Sequence, residues 1–376
     1  MDFKLTGEQE LLRDGLTKFL ASRYGLESSR RAIKLGEGWQ PGIWQSFADE
    51  LGILGAALPE EMGGIGGGPV EIMVIAEALG HALVVEPYVD TVVVAGGLLQ
   101  RAGGDIANGL LEKIAGGEAV LALAAAEAQS GDRWQDVTTT ARAEGDGWVL
   151  DGAKIVVLHA RLATHLLVTA NTPAGLSLFL VDLAGGDPAQ APAGLIQHHY
   201  RTVDDRWAAD IELAGVPATL LGSDGGAWDS LARARDEGAA AVCAEAVGNM
   251  RKVVADTVEY CKQRQQFGTP IGSFQALQHR MVDMHMELEQ SVAAVYLAVL
   301  NLEAEPAQRA RAVSAAKATV GRAARFVGQN AVQLHGGMGM TEELAIGHYF
   351  KRLTAVQYEF GSTDHHVARY AELTRP

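Results

Sequence analysis

Cysteine is nearly absent from this chain: two in 376 residues, Cys243 and Cys261. Both fall in stretches with a helical pattern, which argues against a disulfide framework. With no Cys–His cluster, a structural zinc site is not expected either. Long apolar runs are also missing. No uninterrupted stretch reaches the roughly 20 residues that a membrane-spanning helix needs. The opening "MDFKLTGEQELL" is charged from its second residue, so no signal peptide is expected. Positive charge is scarce: 31 Lys and Arg stand against 46 Asp and Glu, a formal net charge of −15. So acidic a chain repels phosphate backbones and argues against nucleic acid as a bulk partner. A few local Arg side chains can still hold a small phosphorylated ligand. The expectation is a cytoplasmic protein with no membrane and no nucleic-acid partner.

What is present is apolar content, 48% of the chain, enough for a large core. Residues 1–120 read as helices. Thr6 is a plausible N-cap with Glu8 and Glu10 in the first turn, and Leu11, Leu12, Leu16, Phe19 and Leu20 share a face. "IWQSFADELGILG" stops near Gly52, "PEEMGGIGGGP" is a loop, and two apolar helices follow. The loop glycines lack the strand and the Lys-Ser/Thr of a phosphate loop. From about 121 to 225 the pattern alternates. Turns are predicted at Gly145-Asp146-Gly147 and Asp151-Gly152, with strands in "THLLVTAN", "LSLFLVDL" and "DRWAADIELAGVP". From 226 to 376 helical periodicity returns in long Ala-rich segments, with Met281, Met284 and Met286 read as core packing. The fold class is α+β: a helical domain over 1–120, a β-domain over 121–225 and a helical bundle over 226–376.

Two segments carry chemistry. In "RQQFGTPIGSFQALQHR" an Arg ends a long helix, a Phe-Gly turn follows, and a new helix starts near Ser273. A guanidinium beside a helix N-terminus favours anions, although an ordinary helix–helix turn reads the same way. In "AVQLHGGMGMTEELAIGHYFKR", Gly336, Gly337 and Gly339 follow a helix, and Thr341 can cap the next one. Glycines there allow close approach of the backbone to a ligand, or only a helix C-cap. Of the rest, Asp364, His365 and His366 offer no common ion site, since adjacent helical side chains diverge by about 100°. His198-His199 reads as a solvated loop, and "RRAIK" near residue 30 as a solvated helix face.

Together these segments resemble the acyl-CoA dehydrogenase family of flavoproteins. The family carries an R-x-x-F-G turn before a helix with F-Q, and later a Q-x-x-G-G-x-G loop. Here they stand as Arg264–Gly268 with Phe274-Gln275, and as Gln333–Gly339. "LGILGAALPEEMGGIGGG" and "GDGWVLDGAK" extend the likeness along the chain. Within the family, "GGPVEIMVIAEALGHALVVEPY" and "QLHGGMGMTEELAIGHYFKRLT" are most similar to the pimeloyl-CoA dehydrogenase small-subunit type.

The resemblance implies helices, a middle β-domain and a C-terminal four-helix bundle, with FAD bound partly across a subunit interface. It assigns Arg264, Gln266, Phe267 and Gln275 to the pyrophosphate and adenosine side of a neighbouring subunit's FAD, and Gln333, Gly336 and Gly337 to the same half. It implies α,β-desaturation of an acyl-CoA thioester, with an electron-transfer flavoprotein as acceptor. The chemistry needs a carboxylate to remove the α-proton while flavin takes a hydride from the β-carbon.

The family places that glutamate at one of two positions. The first precedes the Gly of a Glu-Gly-Thr turn and is Phe360 here, with Glu359 one residue off. The second falls on Gly238, after Asp236 and Glu237. The family's flavin-ring segments, Thr-Glu-Pro and Trp-x-Thr, read Ala126-Glu127-Ala128 and Val156-Val157-Leu158. The sequence therefore assigns no catalytic base. It leaves open a complete dehydrogenase with a displaced base (Glu359 or Glu237), a binding member without FAD, and an oxidase or monooxygenase on the same fold. It favours the FAD-binding, non-catalytic half of a hetero-oligomer whose related partner subunit supplies the glutamate; as a minimum, the resemblance implies a homo- or hetero-oligomer.

Overall fold

The structure is a computed structural model and describes residues 4–35, 38–145, 147–186 and 191–375. Eleven α-helices and nine strands follow one another among the described residues. The chain divides into two compact units, residues 1–30, 69–84 and 239–376, and residues 31–68 and 85–238.

The first unit is helical. Helix α1 (Gly7–Arg23) starts on a full capping box, in which Gln9 N–H bonds the Thr6 hydroxyl and Gln9 reaches back to the Thr6 N–H. Its inward face is Leu16, Phe19 and Leu20, while Leu11 lies in solvent, off the expected face. Helix α4 (Pro69–His81) crosses α7 (Trp228–Gln263) at backbone contact. A Cβ on Gly80 would stand 2.0 Å from the Glu245 carbonyl oxygen, and one on Gly248 would stand 1.9 Å from that of Glu77. Only glycine allows this crossing. Helices α8 (Gln275–Val299), α9 (Pro306–His335), α10 (Ala345–Ala355) and α11 (Thr363–Thr374) complete the unit. Helices α7 to α10 share a core that includes Met250, Val253, Leu288, Val320, Val327 and Leu353. Met284 belongs to that core, but Met286 is exposed, so the three methionines do not form one buried stripe. Thr341 does not cap α10: its hydroxyl donates to the Met338 carbonyl, and the helix starts only at Ala345.

The second unit is built on a sheet that closes on itself. Strands β2 (Thr140–Glu144), β3 (Gly147–Leu158), β7 (Trp207–Leu221), β5 (Gly175–Asp182) and β4 (His165–Thr172) pair in that ring order, and β4 pairs both β2 and β5. β1 (Leu121–Ala124) adds to β4 in parallel, and β6 (Leu195–Arg201) adds to β7. Closure leaves few unpaired edges, and Leu150, Phe179, Val181 and Ile211 fill the interior. β2 and β3 pair on either side of the expected Gly145-Asp146-Gly147 turn, of which Asp146 lies outside the described residues. Two expectations fail here. His198 and His199 lie on the strand β6 rather than in a loop, with His198 Nε2 3.0 Å from Glu212. Asp151-Gly152 is no turn, because β3 runs straight through it with a bulge. A Cβ on Gly152 would meet Thr139 at 2.6 Å, so this glycine serves a close strand approach. Helices α3 (Pro41–Asp49), α5 (Gly96–Ala102) and α6 (Gly104–Ala115), with a π-helical segment Val89–Ala95, belong to this unit.

Candidate cofactor and active site

At the end of α7 the Arg264 N–H closes the last helical bond on the Tyr260 carbonyl (2.8 Å), and the chain doubles back. β8 (Gln265–Gln266) pairs with β9 (Thr269–Pro270) around Phe267 and Gly268, whose φ angles are 55° and 79°. Two consecutive left-handed residues are what a tight two-residue hairpin requires. Phe267 accepts a backbone state that disfavours side chains, and its ring is 92% exposed, touching only the edge of Phe274. Arg264, Gln266 and Gln275 are exposed as well.

The glycine loop lies beyond α9. Gly336 caps that helix at φ 61°, ψ −145°, a region essentially limited to glycine, and a short 3-10 turn carries Gly337 to Met340. Cβ atoms on Gly336 or Gly337 would meet nothing within 4 Å, and Gln333 is exposed beside them. The helix ends that carry hairpin and loop meet at Tyr260 and His335, where the Tyr260 hydroxyl donates to the His335 carbonyl at 3.4 Å. The Tyr260 ring stacks on His335 with centroids 4.2 Å apart, and His335 Nδ1 lies 2.8 Å from the Ala331 carbonyl oxygen to which it donates. All seven predicted cofactor residues thus reach solvent at this end of the helical unit.

The turn at 356–361 has a different character. Glu359 does not face solvent. Both its oxygens meet Arg352, with 2.8 Å to Nη2. The same guanidinium grips Glu245 at 2.6 and 2.8 Å. Arg352 is fully buried, and burial opposes its charge, but the two carboxylates outweigh that and hold its pKa well above the usual value. Phe360, at the position the resemblance gives to the base, adopts φ 56° and packs against the helical core. Buried Lys317 donates to the carbonyls of Val356 (2.9 Å), Gln357 (3.2 Å) and Gly361 (2.9 Å). His366 Nε2 donates to the Phe360 carbonyl (3.0 Å), while Nδ1 accepts from Ser314 (3.3 Å). Burial, with Lys317 nearby, pushes the His366 pKa down to about 2, so its ring is neutral. The turn is a closed structural knot.

The second base position is no freer. Glu237 Oε1 is held by Arg101 (3.0 Å) and Arg233 (2.8 Å), and Gly97 has no room for a Cβ, which would stand 2.8 Å from Glu237 Oε2. Asp236 is buried.

In the β-rich unit, segments 126–128 and 156–158 meet, the Ile155 N–H donating to the Ala126 carbonyl at 2.9 Å. Glu127 is buried and occupied by Lys154 Nζ (2.7 Å), by the backbone N–H and hydroxyl of Thr138, and by the Thr139 N–H. Burial raises its pKa, yet the bonds from Lys154 and Thr138 outweigh this and hold it well below the carboxylate range. Burial takes Lys154 down to about 8. Ala126, Ala128, Val156, Val157 and Leu158 carry no side-chain donor or acceptor, so no side chain among them can hydrogen-bond a flavin ring.

The Arg352 cluster escaped the sequence reading, as did the Lys317 cage. A usable signal existed for each: a lone Lys on the Ala-rich face of "SAAKATVG", and an Arg within the apolar stretch of α10.

Helices, a strand-rich middle and a helical bundle that exposes the hairpin and the glycine loop match the architecture the resemblance implies. Three family models match in order: the acyl-CoA dehydrogenase N-terminal domain over 6–118, the middle domain over 122–201 and the C-terminal domain over 226–373. The acyl-CoA dehydrogenase FadE27 of Mycobacterium tuberculosis is 30% identical over 350 residues, 89% of this chain and 87% of that one. Among solved structures, a variant of the Tcur3481–Tcur3483 steroid ACAD is 29% identical with a TM-score of 0.88, covering 97% of both chains. The ChsE4–ChsE5 complex from M. tuberculosis is 25% identical with a TM-score of 0.88, covering 100% of both chains. The chain belongs to the acyl-CoA dehydrogenase family. Its chemistry is FAD-dependent α,β-desaturation of an acyl-CoA thioester, carried out as an enzyme or as an FAD-binding subunit of one.

The residues present fit FAD on one side. The hairpin and the open glycine loop offer donors and an uncovered backbone to its phosphate and adenosine half, whereas segments 126–128 and 156–158 offer the ring no side-chain hydrogen bond.

Proposed function

We propose that this chain is the base-less subunit of a hetero-oligomeric acyl-CoA dehydrogenase. It lends Arg264, Gln266, Phe267, Gln275 and the Gln333–Gly337 loop to FAD at an interface, and a related chain supplies the glutamate and the flavin-ring contacts. The observation that carries this reading is Glu359, the carboxylate nearest the usual base position, clamped on buried Arg352. A base must reach the α-carbon, and a carboxylate with both oxygens held on a buried guanidinium is not free to do so. Two of the similar structures carry paired names, Tcur3481–Tcur3483 and ChsE4–ChsE5, which supports a two-chain assembly here. Electron-transfer flavoprotein is the expected acceptor.

FAD, when bound, accepts the hydride. This chain's part is to hold the cofactor's phosphate end and to brace the hairpin and loop through Tyr260 and His335.

The test is spectroscopic. The chain is purified alone and after co-expression with a related dehydrogenase subunit from the same genome, then titrated anaerobically with linear and steroid-ring CoA thioesters. The expected result is flavin bleaching in the pair only. Bleaching by the chain alone would overturn the proposal.

A further inference from the structure

We propose that Arg161, Arg201 and Trp207 form a phosphate-binding site on the β-rich unit. Trp207 opens β7 directly opposite Arg201, the last residue of β6, so the two side chains are cross-strand neighbours. Arg161 arrives from the loop after β3, where the His159 N–H ties the chain to the Trp207 carbonyl at 2.9 Å. Both guanidiniums lie against one indole, 4.4 Å (Arg161) and 4.5 Å (Arg201) from its centroid. On the indole's nitrogen side stands Gly38, where a Cβ would come within 2.6 Å of Nε1.

Two positive charges sharing one ring repel each other unless something negative is near. Arg201 donates to two backbone carbonyls, Asp205 (3.3 Å) and Ile33. Among the described residues, Arg161 makes no hydrogen bond and no ion pair. Four described carboxylates of the neighbouring strands and loops have other partners. Asp90 faces His159 at 3.4 Å, and Asp204 takes the Thr202 hydroxyl. Asp210 holds Tyr200 and the Val156 N–H, and Glu212 faces His198. His199 registers the surplus: burial lowers its pKa, and Arg161 and His198 lower it further. In a chain of net charge −15, this is a positive spot with no carboxylate paired to Arg161 or Arg201 among the described residues. Arg forks match phosphate oxygens bidentately, and the indole holds the fork in place.

FAD and CoA thioesters both carry phosphates, and the site would serve either, or free phosphate. The inference does not depend on which chain supplies the catalytic glutamate.

Calorimetric titration of the intact chain at low salt with CoA, dephospho-CoA, 3′,5′-ADP, FAD and inorganic phosphate tests it. Binding of at least one of these should weaken as salt rises, and Arg161→Gln should lose about tenfold or more in affinity, the scale of one charge-assisted contact. The thermal midpoint should change little, because among the described residues Arg161 makes no hydrogen bond or ion pair beyond its stacking on Trp207. Arg161→Lys, which keeps the charge but not the fork, should fall between. Preference for CoA over dephospho-CoA would assign the 3′-phosphate; preference for FAD would assign the pyrophosphate; equal binding of inorganic phosphate would assign a general anion site. No binding of any probe, or an Arg161→Gln protein that binds like the parent, would overturn the proposal. Flavin bleaching enters neither outcome, so failure here is distinct from failure of the two-chain reading.

Discussion

Glu359 and Arg352, seven residues apart at the end of α10, meet through both carboxylate oxygens, and Glu245 completes the guanidinium from the other side. A buried cation between two carboxylates is sensitive to losing its centre. Arg352→Met leaves two acids facing each other without a counter-charge, and should cost about 3–5 kcal/mol in a denaturant titration. Glu359→Gln keeps a hydrogen bond and should cost less, about 1–2 kcal/mol. In the two-chain enzyme the rate with Glu359→Gln should match the parent. Removal of a true general base lowers rates by about 10²–10⁴-fold, and a loss of that size with an unchanged thermal midpoint would return Glu359 to the base role.

His366 predicts acid sensitivity. Its folded pKa is near 2 against 6.5 unfolded, so below pH ~6.5 the unfolded chain binds the extra proton and stability falls as pH falls. The expected loss is about 2 kcal/mol between pH 6.5 and 5. His366→Gln keeps a donor for the Phe360 carbonyl and has no proton to gain. Thermal midpoints recorded across that range should be flatter for the variant than for the parent. Parallel curves would mean that His366 does not titrate with folding.

How much of this was readable beforehand depended on the range of the interaction. Thr6 was legible as an N-cap because the signal is local, whereas the reciprocal bond from Gln9 was not read. The α–β–α order was legible because periodicity changes near 120 and 226. The glycine of Asp151-Gly152 misled because a turn and a close strand approach demand the same residue, and only Thr139 across the sheet distinguishes them. His198-His199 misled because an edge strand exposes alternate polar side chains much as a loop does. The departure at the position the resemblance gives to the base could be read from Phe360 alone. The Arg352 cluster that holds Glu359 could not be, since Glu245 lies 107 residues away in sequence.

Arg264 separates binding from stability. It is exposed and ends the helix rather than packing within it. Arg264→Ala should leave the thermal midpoint of the cofactor-free chain unchanged. In the assembled enzyme, FAD affinity should fall about 10- to 100-fold, the range of one or two charge-assisted hydrogen bonds. Flavin absorbance retained after gel filtration measures this directly. Full retention in the variant would remove the hairpin from the cofactor site.

The glycine loop offers the sharpest contrast, because its two exposed glycines differ for physical reasons. Gly336 sits at φ 61°, ψ −145°, where an L side chain is strained, so Gly336→Ala should cost about 1–3 kcal/mol whether or not a cofactor binds. Gly337 has no positive φ, and its added methyl would meet no protein atom within 4 Å. Gly337→Ala should therefore fold as stably as the parent. If the uncovered backbone there is what the cofactor approaches, the same methyl occupies that space and FAD retention in the assembled enzyme falls. A Gly337→Ala protein with parental stability and reduced flavin content separates a cofactor cradle from a plain helix cap, since a cap needs glycine only at 336.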